Sequence, residues 1–306
     1  MTGPITVGVQ VGGVTDRGTL HERARIVEAN GFDAFYVSDH PGVSPSPFAT
    51  LAAAATVTST VRLGTYVCNT GVREPVQLAS DAATVDVWSG GRFIFGVGAG
   101  HTPVEWTMEG RSYPSAANRV GRFAEVLSVV VGLLSGEVVT FDGQFVHVRE
   151  ACLLSPRPVR SRVPILVGGN GKRLLAETAR VADVVSLTGL TRTLDDGHRH
   201  EADWSARAID ERVEVVHRTN ANAVLDALVQ VVAITDDPLA AAEQIAPTVP
   251  GLEPEHVLAA PFALLGSVES IAENLLEYHE RWGITSYVVR DTAIETMSAV
   301  IARLNV

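Results

Sequence analysis

Four short apolar runs, each ending in glycine or polar residues, constrain this chain more than any other feature. Ala34-Phe35-Tyr36-Val37 leads into Ser38-Asp39-His40, and residues 92–97 lead into Gly98-Ala99-Gly100-His101. Residues 164–167 lead into Gly168-Gly169-Asn170-Gly171-Lys172-Arg173, and residues 286–289 into Arg290-Asp291. Runs this apolar suit strands covered on both faces, as in a parallel sheet. Helix-length amphipathic stretches separate them, so the repeating unit reads as βα. If such units close into a barrel, the C-terminal strand ends converge on one face, where catalysis sits.

The remaining pattern extends this reading along the chain. Strands are expected at residues 5–11, 34–37, 61–69, 92–98, 164–167, 182–187, 228–234 and 286–289. Helices are expected at 20–29, 48–58, 75–88, 115–134, 174–181, 206–218, 239–246, 268–282 and 294–304. Asn30-Gly31 suits a helix C-cap, Ser267 an N-cap, and Asp142-Gly143 a β-hairpin turn. Eight strands without an intervening linker predict one (β/α)8 TIM barrel domain over residues 1–306, with insertions at its C-terminal face. Residues 188–205 are polar and histidine-rich, which suits a surface excursion over the strand ends.

Composition narrows the function. In 306 residues, 46% are hydrophobic, enough for a large core. The 35 acidic against 24 basic residues give a net charge of -11, which disfavours nucleic acid and anionic membranes as partners. Met1-Thr2-Gly3-Pro4 enters a strand without a signal-peptide pattern, and no apolar stretch has the length of a spanning helix. Cys68 and Cys152 have no metal spacing, and Cys68 reads as a small buried hydrophobe. A cytoplasmic protein acting on a small molecule is the expectation.

Several residues carry chemistry. Gly168-Gly169-Asn170-Gly171 at a strand end can present backbone N–H groups and a helix dipole to an anion, with Lys172 and Arg173 adding charge. The same glycines also suit a tight βα turn. Gly96, Gly98 and Gly100 either admit a flat ring close to the backbone or serve core packing. His40 titrates near neutrality and can exchange a proton with a substrate oxygen, with Asp39 as its neighbouring carboxylate. Neighbours on a strand point to opposite faces, so only one of this pair faces the barrel axis; a purely structural Asp-His pair is the alternative. Asn69, Arg73 and Glu105 fall near the mouth, and Arg73 suits either an anionic substrate or a solvated loop. Asp195, Asp196, His198, His200 and Glu201 lack the rigid frame of a metal site and read as loop.

Across nearly its whole length the chain resembles the bacterial luciferase-like superfamily of (β/α)8 barrels. The resemblance rests on Asn30-Gly31-Phe32-Asp33 before Ser38-Asp39-His40, on Val61-Arg62-Leu63-Gly64-Thr65, and on Arg73-Glu74-Pro75. Ser89-Gly90-Gly91-Arg92-Phe93, Gly96-Val97-Gly98-Ala99-Gly100 and Val167-Gly168-Gly169 add to it. Within the superfamily, Ser-Asp-His and Gly-Ala-Gly-His look most like the branch using the deazaflavin coenzyme F420. That resemblance implies hydride exchange with a small organic substrate, with His40, Asp39 and His101 as catalytic residues. It implies ring contacts from Asp39, Tyr66, Val67, Asn69, Gly98, Ala99 and Gly100, and a phosphate held by Gly168, Gly169, Asn170, Gly171, Lys172 and Arg173. A non-prolyl cis peptide at Tyr66–Val67 and a homodimer built on the first three helices follow from the same likeness. Sugar-phosphate dehydrogenases of this branch carry glutamate where His101 stands, so their substrate does not carry over. The alternatives are a monooxygenase using reduced FMN and a non-catalytic carrier of a flavin-like ligand.

Overall fold

Eight parallel strands close on themselves in this computed structural model, which describes residues 5–194 and 199–304. In chain order they are β1 (Thr6–Val11), β2 (Ala34–Val37), β3 (Arg62–Thr65), β4 (Phe93–Gly98), β5 (Ile165–Gly168), β6 (Val184–Leu187), β7 (Val224–Leu228) and β8 (Ile284–Arg290). Each pairs with its sequence neighbours, and β8 returns to β1 in the register Thr6↔Ser286 to Gln10↔Arg290. Helices lie between successive strands, so this is the expected (β/α)8 barrel.

Alternation along each strand separates two cores. Val7, Val9 and Val11 of β1 join Phe35, Leu63, Phe93 and Phe95 in the large layer beneath the helices. Inside the barrel, Ala34, Tyr36, Tyr66, Ile94, Leu166, Leu228 and Val288 form a smaller cluster. Tyr36 fits there because β1 and β3 present glycine to it. A Cβ at Gly8 would lie 2.7 Å from the Tyr36 ring, and one at Gly64 would lie 2.6 Å from it.

Local signals set the helix ends. Asp16 caps helix Arg17–Ala29 by accepting from the Thr19 amide at 3.0 Å, and Gly31 follows it at φ 77°. Ser267 caps Val268–Trp282 by accepting from the Ser270 amide, and Gly283 ends that helix in the left-handed region. The Asp142-Gly143 hairpin forms between Val139–Asp142 and His147–Ala151, with a longer connection than a two-residue turn. There the Glu125 carboxylate accepts from the backbone amides of Gln144, Phe145 and Val146.

Two strand expectations are corrected. The seventh barrel strand is Val224–Leu228, whereas Val231–Ile234 leaves the barrel and pairs in parallel with Ala263–Gly266. Both runs are apolar; the barrel takes the one that carries inward-facing Asp226 and Leu228 between β6 and β8. The third strand breaks after Thr65 and resumes as Cys68–Asn69 beside β4, with the Tyr66–Val67 peptide cis between them. Residues 188–205 carry a two-stranded antiparallel ribbon, Leu190–Thr193 with His200–Ala202. Asp195, Asp196 and His198 lie outside the described residues.

Candidate active site

A cavity of about 1350 Å³ opens at the C-terminal ends of the barrel strands. Its wall takes Gln10 from β1, His40 after β2, Tyr66 after β3, and Gly98 and Gly100 at the end of β4. Gly168 and Asn170 follow from β5, then Thr188, Leu228, Gln230 and Arg290. Within the strands themselves, Gln10, Gly98, Gly168, Leu228 and Arg290 fall on the side facing the barrel axis. The ribbon covers part of the mouth through Leu190, Thr191, Arg192 and His200. That volume exceeds the ~300–1000 Å³ usual for one small ligand, so a cofactor and a substrate can share it.

Asp39 and His40 both border the cavity, but they differ in exposure: the His40 side chain is 37% exposed, while that of Asp39 is buried. Both oxygens of the Asp39 carboxylate are engaged. It accepts both a 2.7 Å bond from Arg73 Nε and a 2.7 Å bond from its Nη2, then the Asn69 amide at 2.9 Å and the Cys68 thiol at 3.1 Å. Burial, with Asp39 beside it, pushes the Cys68 thiol well above its ordinary value, so this cysteine stays protonated. Arg73 is therefore neither a solvated loop residue nor free for an anionic substrate. It neutralises Asp39, and that bond raises its own proton affinity.

His40 is held from behind. Its Nδ1 lies 2.7 Å from Oε1 of Glu105, which is 2% exposed at the start of helix Pro103–Met108. The other Glu105 oxygen accepts from Asn69 Nδ2 at 2.5 Å. A chain of bonds thus runs from Arg73 through Asp39, Asn69 and Glu105 to His40, leaving Nε2 as the ring nitrogen for a ligand. The Glu105 hydrogen bond, opposed by burial and reinforced by the Glu105 charge, raises the His40 pKa above the ordinary histidine value. His101 stands beside it, ring centroids 5.9 Å apart and edge to face, and His200 lies 4.8 Å beyond His101. Among the described residues no group of histidine, cysteine, aspartate and glutamate is arranged to hold a metal ion.

The glycines act through their neighbours. A Cβ at Gly98 would lie 2.7 Å from a Val67 methyl, and one at Gly168 would lie 2.8 Å from the other. The missing side chains therefore make room for Val67, which lines the cavity. Gly100, at φ 74°, makes room for the Asn69 amide in the same way. In the 168–173 loop, Gly171 faces open space, and both side-chain amide atoms of Asn170 are buried without a partner among the described residues. Arg173 lines the cavity, whereas Lys172 turns to Glu211 at 2.7 Å and does not. The wall holds residues that the sequence reading did not single out, Gln10 and Gln230 among them, and it includes Arg290 from one of the polar strand ends that the reading did name. Gln10 is a polar residue on the inward side of an apolar strand, and Gln230 a polar residue between two apolar runs; those were the available signals.

A closed parallel barrel with a histidine-walled cavity at its strand ends defines an enzyme-type (β/α)8 scaffold. Residues 4–260 match the luciferase-like monooxygenase family, and the chain belongs to that family. It is 33% identical over 166 residues to an F420-dependent glucose-6-phosphate dehydrogenase of Beutenbergia cavernae, covering 52% of this chain and 48% of that one. The chain thus spans about half the length of the first such curated relatives. A Mycobacterium tuberculosis protein of uncharacterised function is 30% identical over 250 residues, covering 74% of this chain and 82% of its own. The F420-dependent tetrahydromethanopterin reductase of Methanopyrus kandleri superposes with a TM-score of 0.74 at 20% identity, over 99% of this chain and 100% of that one, and bears on the fold.

Proposed function

We propose that this chain is an F420-dependent oxidoreductase acting on a small organic substrate. The observation that carries the reading is His40, fixed through Nδ1 on buried Glu105 and facing a cavity large enough for two ligands. The names of the relatives support the deazaflavin over FMN. The residues present fit such a group. Among the described residues, Asn170 offers two unpartnered buried side-chain amide atoms, Gly171 leaves its surroundings open, and Arg173 brings positive charge. With Gly168 and Gly169 they would hold the phosphate; Val67, seated between Gly98 and Gly168, would support the ring with Tyr66, Asn69, Ala99 and Gly100. When bound, F420 supplies two-electron hydride chemistry at its deazaflavin ring.

The chain's own part is proton handling and positioning. His40 Nε2 gives or takes the proton of the substrate oxygen, and Glu105 stabilises the imidazolium that results. His101 borders the same space and is the second candidate for that proton. Asp39, its oxygens all engaged, positions Asn69 and through it Glu105. The ribbon over the mouth limits water at the reacting atoms.

Fluorescence titration tests the reading: F420 should bind and quench, and FMN should bind at least about ten-fold more weakly if it binds at all. The reverse order would move the protein to the monooxygenase class. Gly171→Val should weaken F420 binding by about ten-fold or more, because its side chain enters the space left for the phosphate. The fold should survive, since a Cβ there meets nothing within 4 Å. Gly169 is the less clean target because a Cβ there lies 3.0 Å from Leu174. Unchanged affinity in folded Gly171→Val would return the loop to a turn.

We further propose a cytoplasmic homodimer. Ile26, Val76, Val87 and Trp88 leave apolar surface on the first and third helices. Among the described residues no helix is long and apolar enough to cross a membrane. Light scattering should report twice the mass of one chain; a single-chain mass at micromolar concentration would remove the dimer.

A further inference from the structure

Arg290 ends β8 on the barrel axis, where a positive charge is costly unless something answers it. Its guanidinium donates to Gln10 Oε1 and, at 3.0 Å, to Gln230 Oε1. Among the described residues it has no carboxylate at ion-pair distance. Burial dominates its surroundings and lowers its proton affinity, the opposite of Arg73 beside Asp39. Three other arginines of the wall have partners of their own. Arg173 is paired with Glu177 and Arg192 with Glu201, and Arg119 donates to the Gly100 and Pro114 carbonyls while stacking on Tyr113.

The two glutamines are fixed, not adaptable. Gln10 Nε2 donates to the Tyr66 carbonyl at 2.5 Å, which leaves its oxygen for Arg290. Gln230 must likewise turn its oxygen to the guanidinium, and its Nε2 is left buried without an acceptor among the described residues. Among the described residues, a cation with no carboxylate partner and a donor with no acceptor therefore lie together on the wall that also carries His40. The Arg290 charge reaches far enough to oppose protonation of His40.

We infer that the substrate carries an oxyanion group, carboxylate or phosphate, that docks on Arg290 and Gln230 Nε2. This rests on the oxidoreductase reading and names its substrate class. A planar guanidinium flanked by a fixed amide donor matches the paired oxygens of either group. Docked there, the anion sets which part of the substrate lies against His40. Arg290 and Gln230 are thus specificity residues, and a neutral analogue leaves both unanswered.

The test is calorimetric titration of malonate and of inorganic phosphate, separately, into the F420-free protein. Wild type should bind at least one of them, and the tighter probe tells carboxylate from phosphate. Arg290→Gln should weaken that binding by about ten-fold or more, the usual scale for losing a charged hydrogen bond. Gln230→Glu, nearly isosteric, places a carboxylate on Arg290 and should weaken it similarly; it carries the test alone if Arg290→Gln does not fold. F420 affinity, read by fluorescence, should stay within about three-fold of wild type in both variants. Three results would overturn the inference. They are no binding of either probe to wild type, binding lost in Gly171→Val but kept in both variants, and F420 affinity falling in step with the anions. Failure of wild type to bind F420 would instead remove the proposed function, while the anion titrations would still decide the role of Arg290.

Discussion

His40→Ala should lower turnover by roughly 10²–10⁴-fold with little change in cofactor affinity, the expected cost of removing a general acid or base. The geometry gives the reason. His40 is the histidine braced by a buried carboxylate, at 2.7 Å, with its other nitrogen left for the cavity. The pH profile supplies an independent readout. Glu105 raises the His40 pKa, so the limb belonging to His40 should lie above the ordinary histidine value of about 6.5. Glu105→Gln removes the charged acceptor and should move that limb to lower pH, whichever direction the reaction runs. For stability the sign is that of a raised pKa: the pair's contribution is complete below the unfolded-state pKa and is lost as pH rises through the folded-state one. Near-wild-type turnover in His40→Ala would transfer the proton role to His101, whose ring lies 5.9 Å away.

Arg73→Ala should cost about 3–5 kcal/mol of folding stability, the usual penalty for stripping one partner from a buried ion pair. The Asp39 side chain is 1% exposed and depends on Arg73 for its only cationic partner in the bond set around it. Arg73→Lys should cost less, since charge remains while the two-pronged geometry goes. Adding Asp39→Asn to Arg73→Ala should recover a large part of the loss, because no buried charge is then left alone. Urea unfolding of the four proteins checks this. A loss below about 1 kcal/mol in Arg73→Ala, typical of an exposed pair, would show that Asp39 does not need its partner. The same variant should also loosen His40, because Asp39 holds the Asn69 amide and Asn69 holds Glu105.

Much of the barrel was legible because its signals are local. A buried strand shows itself over four to six residues, as in Ala34–Val37 and Phe93–Gly98, and a cap over three, as at Ser267. The seventh strand was misplaced for the same reason. Residues 224–228 and 231–234 are both short apolar runs, and only their neighbours in the closed sheet distinguish them. The glycines at 98 and 168 were visible, but what fills the space beside them was not, because Val67 comes from another strand.

The sequence by itself determined the repeated βα order and the glycine-rich strand ends. Each depends on periodicity within a few residues, which backbone geometry imposes wherever the chain goes. Tertiary structure alone decided the partners. It joined Arg73 to Asp39 across 34 positions, Glu105 to His40 across 65, and Arg290 to Gln10 across 280. Among the described residues it also left Arg290 without a carboxylate at ion-pair distance. Such pairings depend on which strands become neighbours when the barrel closes and on which side chains then share a region of low dielectric, and neither is encoded in any local stretch.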